Sequence, residues 1–305
     1  MIDWTPFKKM DADEWMTKVD ADLNGKKLAS EFIHNIEGDF IVSPFLTDAP
    51  KYPNLALPNQ TKAAIFIETE DSEVANEKAL KYLNLGVEIL IFISQSGYTD
   101  LMRIFRNVHL EMISVLFLIK ENDHKFEVQL AYYLTTQYPN KKVDVSIHLQ
   151  DENIISQDLT YKNRLIKFGK KARSIENTGK NIVQLELKRD FFGQIAELRA
   201  MRNIWALAGN DANDLFILAI VKDENIENAS VHPLTISNFK LMSAYMGMSD
   251  TAVVISDPNN EEQIRLNLNI QHIFREESSL QSVSDPFLGA YIIEALTDQM
   301  TNIVS

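Results

Sequence analysis

From Thr61 onward, short continuous apolar runs alternate with stretches of helical periodicity. The runs are AAIFIE (63–68), VEILIFI (87–93), SVLFLI (114–119), VDVSIHL (143–149), NIVQLEL (181–187), LFILAIV (215–221) and AVVIS (252–256). Each is short and rich in β-branched residues, the pattern of strands buried on both faces of a parallel sheet. Between them lie the amphipathic patterns DSEVANEKALKYLNLG, SGYTDLMRIFRN, KFEVQLAYYLTTQY, FFGQIAELRAMRNIWALA and TISNFKLMSAYMG. A weaker eighth strand is expected at ASVHP (229–233), which gives the number that closes a (β/α)8 barrel. The rival, an open doubly wound sheet, lacks its usual GxGxxG signature after any strand. Two helices are expected to close the barrel, one over about 259–280 and one starting after Asp285-Pro286, with no further domain after them.

Residues 1–60 follow a different pattern and are read as an N-terminal arm before the barrel of 61–305. Asp11–Leu23 starts with acidic residues, sets Trp15, Val19 and Leu23 on one helical face and meets Gly25 as a stop. EFIHNI and DFIVSPF, joined through Glu37-Gly38, predict a hairpin. The proline-rich DAPKYPNLALPN then serves as a linker or wrapping strand.

Composition narrows the function classes. A chain of 305 residues with 45% hydrophobic and 24% charged residues is an ordinary globular protein. No apolar run reaches the roughly 18 residues of a membrane span, and the N-terminus lacks a signal-peptide core, so a cytoplasmic protein without a membrane partner is expected. The absence of cysteine removes thiolate chemistry and Cys-type zinc sites. A net charge of −13 argues against nucleic acid, which needs clustered Lys and Arg. There is no GKS/T phosphate loop, HExxH helix or GxSxG elbow.

In a β/α barrel the ligand-bearing residues sit at the C-terminal ends of the strands. Those positions hold Glu68 and Thr69, residues 94–96, Lys120, His148 and Gln150, Lys188 and Arg189, Lys222 and Asp223, His232, and Ser256 with Asp257. Strand ends face water in any barrel, so polarity there is also what a purely structural reading requires. His148 and His232 are the candidates for acid or base work near neutral pH. Neither has a metal-type partner at close spacing, and a strand-end His is equally at home as a structural residue. No catalytic residue and no metal ligand is assigned.

Three stretches carry a resemblance. Asp13-Glu14-Trp15 precedes Asp22-Leu23-Asn24-Gly25 and Pro44-Phe45. Phe191 to Ala206 reads FFGQIAELRAMRNIWA. Arg265-Leu266-Asn267-Leu268-Asn269-Ile270-Gln271 is followed by Glu276-Glu277-Ser278, Asp285-Pro286-Phe287-Leu288-Gly289-Ala290-Tyr291 and Glu294-Ala295-Leu296-Thr297. In order and spacing these stretches resemble the methylmalonyl-CoA mutase family, adenosylcobalamin-dependent carbon-skeleton isomerases. The resemblance implies a (β/α)8 barrel that holds an acyl-CoA, with a separate flavodoxin-like domain whose DxHxxG histidine ligates cobalt. These 305 residues contain no DxHxxG, so no cofactor is expected on this chain alone.

The barrel also departs from the family pattern. Glu197 stands where the middle signature has lysine, Leu268 where RIARNTQ has its second arginine, Ile270 for its threonine and Leu288 for the first glycine of GGS. Asn238-Phe239-Lys240 is the remnant of an NNxxRT stretch, and the TSG, GYH-type and QND-type segments are absent. Loss of cations weakens any grip on CoA phosphates. The remaining pocket candidates are His148, Gln150, Arg199, His232, Asn269 and Gln271, with Arg199 and Arg202 equally suited to acidic neighbours on the protein itself. Heterodimeric members pair a catalytic large subunit, which holds adenosylcobalamin, with a homologous small (beta) subunit that does no chemistry, the arm of one packing along the other. The resemblance therefore implies a degenerate small subunit of such a heterodimer, its arm aromatics Trp15, Phe32, Phe40 and Phe45 serving as anchors on a partner or on its own barrel. The alternatives are an acyl-CoA-binding barrel completed by a separate cobalamin-domain chain, and an unrelated barrel enzyme using His148 or His232.

Overall fold

The computed structural model describes residues 10–46, 60–94, 99–120, 124–149, 154–175, 180–222, 233–280, 282–283 and 285–304. The chain opens with helix α1 (Ala12–Leu23), capped by the Asp11 side chain on the amide of Glu14, and ends it at Asn24 in the left-handed region (φ 50°). A 3-10 turn (Ala29–Phe32) leads into an antiparallel hairpin, β1 (His34–Ile36) and β2 (Phe40–Val42). The hairpin turns at Glu37 and Gly38, both at positive φ (53° and 82°). The helix and hairpin expected from the sequence are thus present. The proline-rich linker falls outside the described residues.

The body alternates strand and helix: β3 (Lys62–Glu68), α2 (Ser72–Asn84), β4 (Ile89–Ser94), α3 (Leu101–Ile104), β5 (Ser114–Ile119), α4 (His124–Gln137) and β6 (Asp144–Leu149). It continues with β7 (Ile154–Ile155), α5 (Tyr161–Ser174), β8 (Asn181–Glu186), α6 (Phe191–Leu207), β9 (Leu215–Lys222), α7 (Pro233–Met246), β10 (Thr251–Ile255), α8 (Glu261–His272) and α9 (Tyr291–Asn302). Strands β3 to β10 form one parallel sheet in the order β6-β5-β4-β3-β10-β9-β8-β7, so the last strand pairs with the first and the sheet curls into a β/α barrel. No ladder joins β6 to β7 among the described residues. A side chain bridges that seam instead: Lys180, just before β8, bonds Asp144 of β6 at 2.9 Å, while Lys171 and Lys167 on α5 donate to the carbonyls of Ile182 and Ile154 on the β7–β8 side.

The parallel sheet has eight strands among the described residues, but one is not where the sequence placed it. The eighth member of the sheet is the two-residue β7, whereas ASVHP lies almost wholly outside the described residues, and Pro233, its last residue, starts α7. β9 and β10 pair directly along all of β10, so nothing between them in sequence intervenes in the sheet. Two further expectations shift. SGYTDLMRIFRN yields a single described helical turn, closed by Phe105 and the left-handed Asn107 (φ 62°). The final helix begins at Tyr291 rather than just after Pro286. Asp285 caps a turn at Phe287, and Gly289 at φ 81°, a conformation open to glycine, delays the helix by a turn.

Three apolar layers result. The barrel axis is filled by Ala64, Ile89, Ile91, Leu116, Leu118, Ile182, Leu218, Ile220 and Val253, with Phe66 and Phe216 against them. Outside the wall, one layer joins β3–β6 to α2, α3, α4 and α8, and another joins β8–β10 to α5, α6, α7 and α9. The signature helix α6 is the centre of the second layer, and its Trp205 is 1% exposed. The hairpin docks onto the same side. Phe40 is buried in that layer, Gln299 on α9 bonds both the amide and the carbonyl of Ile41, and Glu37 accepts from the Tyr161 amide at 2.6 Å.

Candidate functional site

A cavity of about 380 Å³ opens at the C-terminal end of the barrel, a size within the range of small-molecule sites. Its floor is the top of the axial layer: Ala64, Phe66, Leu118 and Ile220. The ladder explains its position. β10 pairs with β9 over five residues but with β3 only at Thr251–Lys62 and Ala252–Ala63. Beyond Ala63, β3 follows β4 and parts from β10, so the cavity runs through the split wall to Ile264 and Leu268 of α8 and Tyr82 of α2.

Its polar lining is small. Glu186 ends β8 and Lys222 ends β9; they pair at 2.5 Å, and Glu186 also accepts from the Gln157 amide. The Gln157 side chain in turn accepts from Lys240 of α7, which is 1% exposed. On α8, Asn267 donates to Ser256 Oγ at 2.9 Å, while its Oδ1 is buried without a hydrogen-bond partner. Gln271, one turn on, accepts from the Tyr245 hydroxyl and is 1% exposed. Glu68 and Lys78 complete the charged lining.

Of the six residues singled out from sequence, four are described, and of these Gln271 alone lines this cavity. Asn269, two positions earlier on the same helix, is exposed on the opposite side, as a helical period of 3.6 requires. Arg199 lies outside the barrel wall between α6 and α9, where Asp285 and Glu294 hold it; the Glu294 contact is 2.8 Å. Arg202 likewise bonds Asp250 at 2.9 Å and the Met248 carbonyl. Gln150 and His232 fall outside the described residues. His148 is half-buried on β6. Its neighbours Val145, Ile147 and Leu149 pack into the outer layer, so alternation turns His148 and Ser146 inward beside the seam. Burial, with lesser contributions from Lys171 and Lys180, pushes the imidazole down to about 4, and its Nε2 has no hydrogen-bond partner. It is a neutral ring at pH 7.

Glu197, the residue that reverses the expected lysine, is also remote from the cavity. It is fully buried on α6, 2.7 Å from the Arg164 guanidinium of α5, and accepts from Gln194 at 2.7 Å. Lys222 stood among the strand-end positions read from sequence, whereas Asn267, Lys78 and Glu186 were not among the pocket candidates. Glu186 ends a mainly apolar strand at the inward-facing parity of Ile182 and Gln184, a signal that was available. Lys78 had none, because it reaches the cavity only where β3 and β10 separate.

Among the described residues there is no group of three or more metal-ligating side chains and no helix long and apolar enough to cross a membrane. The architecture defines a β/α-barrel protein with a small upper cavity. Residues 243–305, from the end of α7 through β10, α8 and α9, match the methylmalonyl-CoA mutase family model, which supports a place in that family and a mutase-related function. No curated protein matches the chain. Among solved structures, a dipeptide epimerase from Methylococcus capsulatus complexed with Mg ion is similar at 11% identity and a TM-score of 0.38, over 66% of this chain and 56% of that one.

Proposed function

We propose that this protein is a non-catalytic, small-subunit-like member of a methylmalonyl-CoA mutase assembly, paired with a catalytic large subunit that carries substrate and adenosylcobalamin. The observation that carries this reading is the filled barrel axis. Aliphatic side chains from six strands, each at most 4% exposed, pack the axis and leave an extended acyl-CoA a cavity of about 380 Å³ above it. The rim adds to it, since Glu186 neutralises Lys222 and leaves little positive potential for CoA phosphates. The arm supplies a surface for the partner. α1 buries none of its residues, Trp15 stacks on Phe45 at 5.3 Å, and Leu28, Phe32 and Ile33 are exposed, whereas Phe40 is committed to its own core. An apolar arm with few contacts of its own suits a partner's surface.

Affinity purification of the tagged protein from its native cells is the test. The expected result is a stoichiometric companion with a DxHxxG cobalamin domain and cobalamin absorbance, lost when residues 10–33 are deleted. Recovery of this chain alone overturns the proposal. Saturable binding of a CoA thioester by the isolated chain would favour the acyl-CoA-binding alternative instead.

A further inference from the structure

The split between β3 and β10 leaves a lateral chamber whose unsatisfied groups specify a ligand of their own. Lys78 projects from α2 into the lining, half-buried, and makes no ion pair or hydrogen bond among the described residues. Asn267, 3% exposed, keeps its Oδ1 buried in the same lining without a hydrogen-bond partner among the described residues. The walls between them are apolar: Ile65, Ile67, Ile264 and Leu268. The other charges do not compete. Lys222 and Glu186 are paired with each other, and Glu68 is exposed to water, where screening weakens it.

We propose that this chamber binds a carboxylic acid with a medium-length apolar chain, its carboxylate on Lys78 and a hydroxyl or amide donor of the chain on Asn267 Oδ1. An amide oxygen repels a carboxylate and accepts a donor, so the two polar groups fix the ligand's direction. A single ammonium serves a carboxylate; a phosphate would want the additional donors of an arginine fork or a loop of backbone amides, and no arginine lines the chamber among the described residues. The chain buries its methylenes against Ile264 and Leu268 of α8. The site lies above the filled axis and extends through the split wall to α8.

Calorimetric titration of the full chain with octanoate, 3-hydroxyoctanoate, octanol and octylamine tests it. Octanoate is expected to saturate, the 3-hydroxy acid to bind more tightly, and octanol and octylamine to bind at least about ten-fold more weakly, the scale of one charge-assisted hydrogen bond. Lys78→Met is expected to weaken octanoate by about ten-fold or more while leaving octanol unchanged. Asn267→Leu is expected to erase the advantage of the hydroxyl. Ala64→Leu, which fills the floor, is expected to abolish all binding in a variant that still unfolds cooperatively, at a cost of about 1–3 kcal/mol from overpacking the axial layer. Equal affinity for octanoate and octanol, or an octanoate affinity indifferent to Lys78→Met in a folded variant, overturns the proposal.

Discussion

The Arg164–Glu197 pair offers the sharpest test of how the structure is held together. Both side chains are fully buried, 2.7 Å apart, with Gln194 on the second carboxylate oxygen and the Glu186 carbonyl on the guanidinium. At an effective dielectric of about 20 the direct attraction is roughly 6 kcal/mol, while each ion gave up several kcal/mol of hydration to be there. The balance is visible in the acid: burial pushes the Glu197 carboxyl upward from its usual range more strongly than Arg164 pulls it back. The pair therefore contributes little net stability, yet losing one member strands a charge. Glu197→Ala should cost about 3–5 kcal/mol, and Glu197→Lys at least as much, since two cations would then face each other. The double variant Arg164→Met/Glu197→Leu should lie within about 2 kcal/mol of the wild type. Thermal unfolding reads this out at about 2–4 °C per kcal/mol for a chain approaching this size. If the double variant is as unstable as Glu197→Ala, the pair is a true stabiliser and the desolvation argument fails.

Other expectations follow from single features. The His148 imidazole is depressed from its ordinary 6.5 to about 4 in the fold, so between those values the unfolded chain binds the extra proton. Its contribution to stability is complete above about pH 6.5 and fades as pH falls toward 4; His148→Phe should flatten the dependence of melting temperature on pH in that window. A Cβ on Gly247 would stand 2.5 Å from Leu198 Cδ1 and 2.8 Å from the Ser243 carbonyl, so Gly247→Ala should destabilise by about 1–3 kcal/mol in denaturant titration despite its better helix propensity. Arg199→Met should leave Asp285 and Glu294 unpaired where α6 meets α9 and cost roughly 3 kcal/mol, without affecting octanoate affinity. Retention of wild-type stability by that variant would show the cluster to be ornamental.

The sequence by itself determined the layer plan. Seven apolar, β-branched runs became seven strands within one or two residues, because a strand buried on both faces must be apolar along its length. Asp11, Glu37-Gly38 and the Phe191–Ala206 helix were equally legible, since caps, turns and helical periodicity are local. β7 was not. Two isoleucines carry no periodic signal, and Ile154–Ile155 is a strand only because β8 offers it a ladder. α5 was likewise passed over, its apolar spacing of Tyr161, Leu165, Phe168 and Ala172 masked by lysines, two of which tie the helix to the carbonyls of β7 and β8. The cavity belongs wholly to tertiary structure. Lys78 and Asn267 stand 189 positions apart, and what brings them to one chamber is the parting of β3 from β10 two residues into their pairing. A family motif can say that Gln271 faces inward and Glu197 is unusual. Which charges meet each other, which remain unpaired and where the wall opens is decided by sheet register, a long-range property that no local pattern encodes.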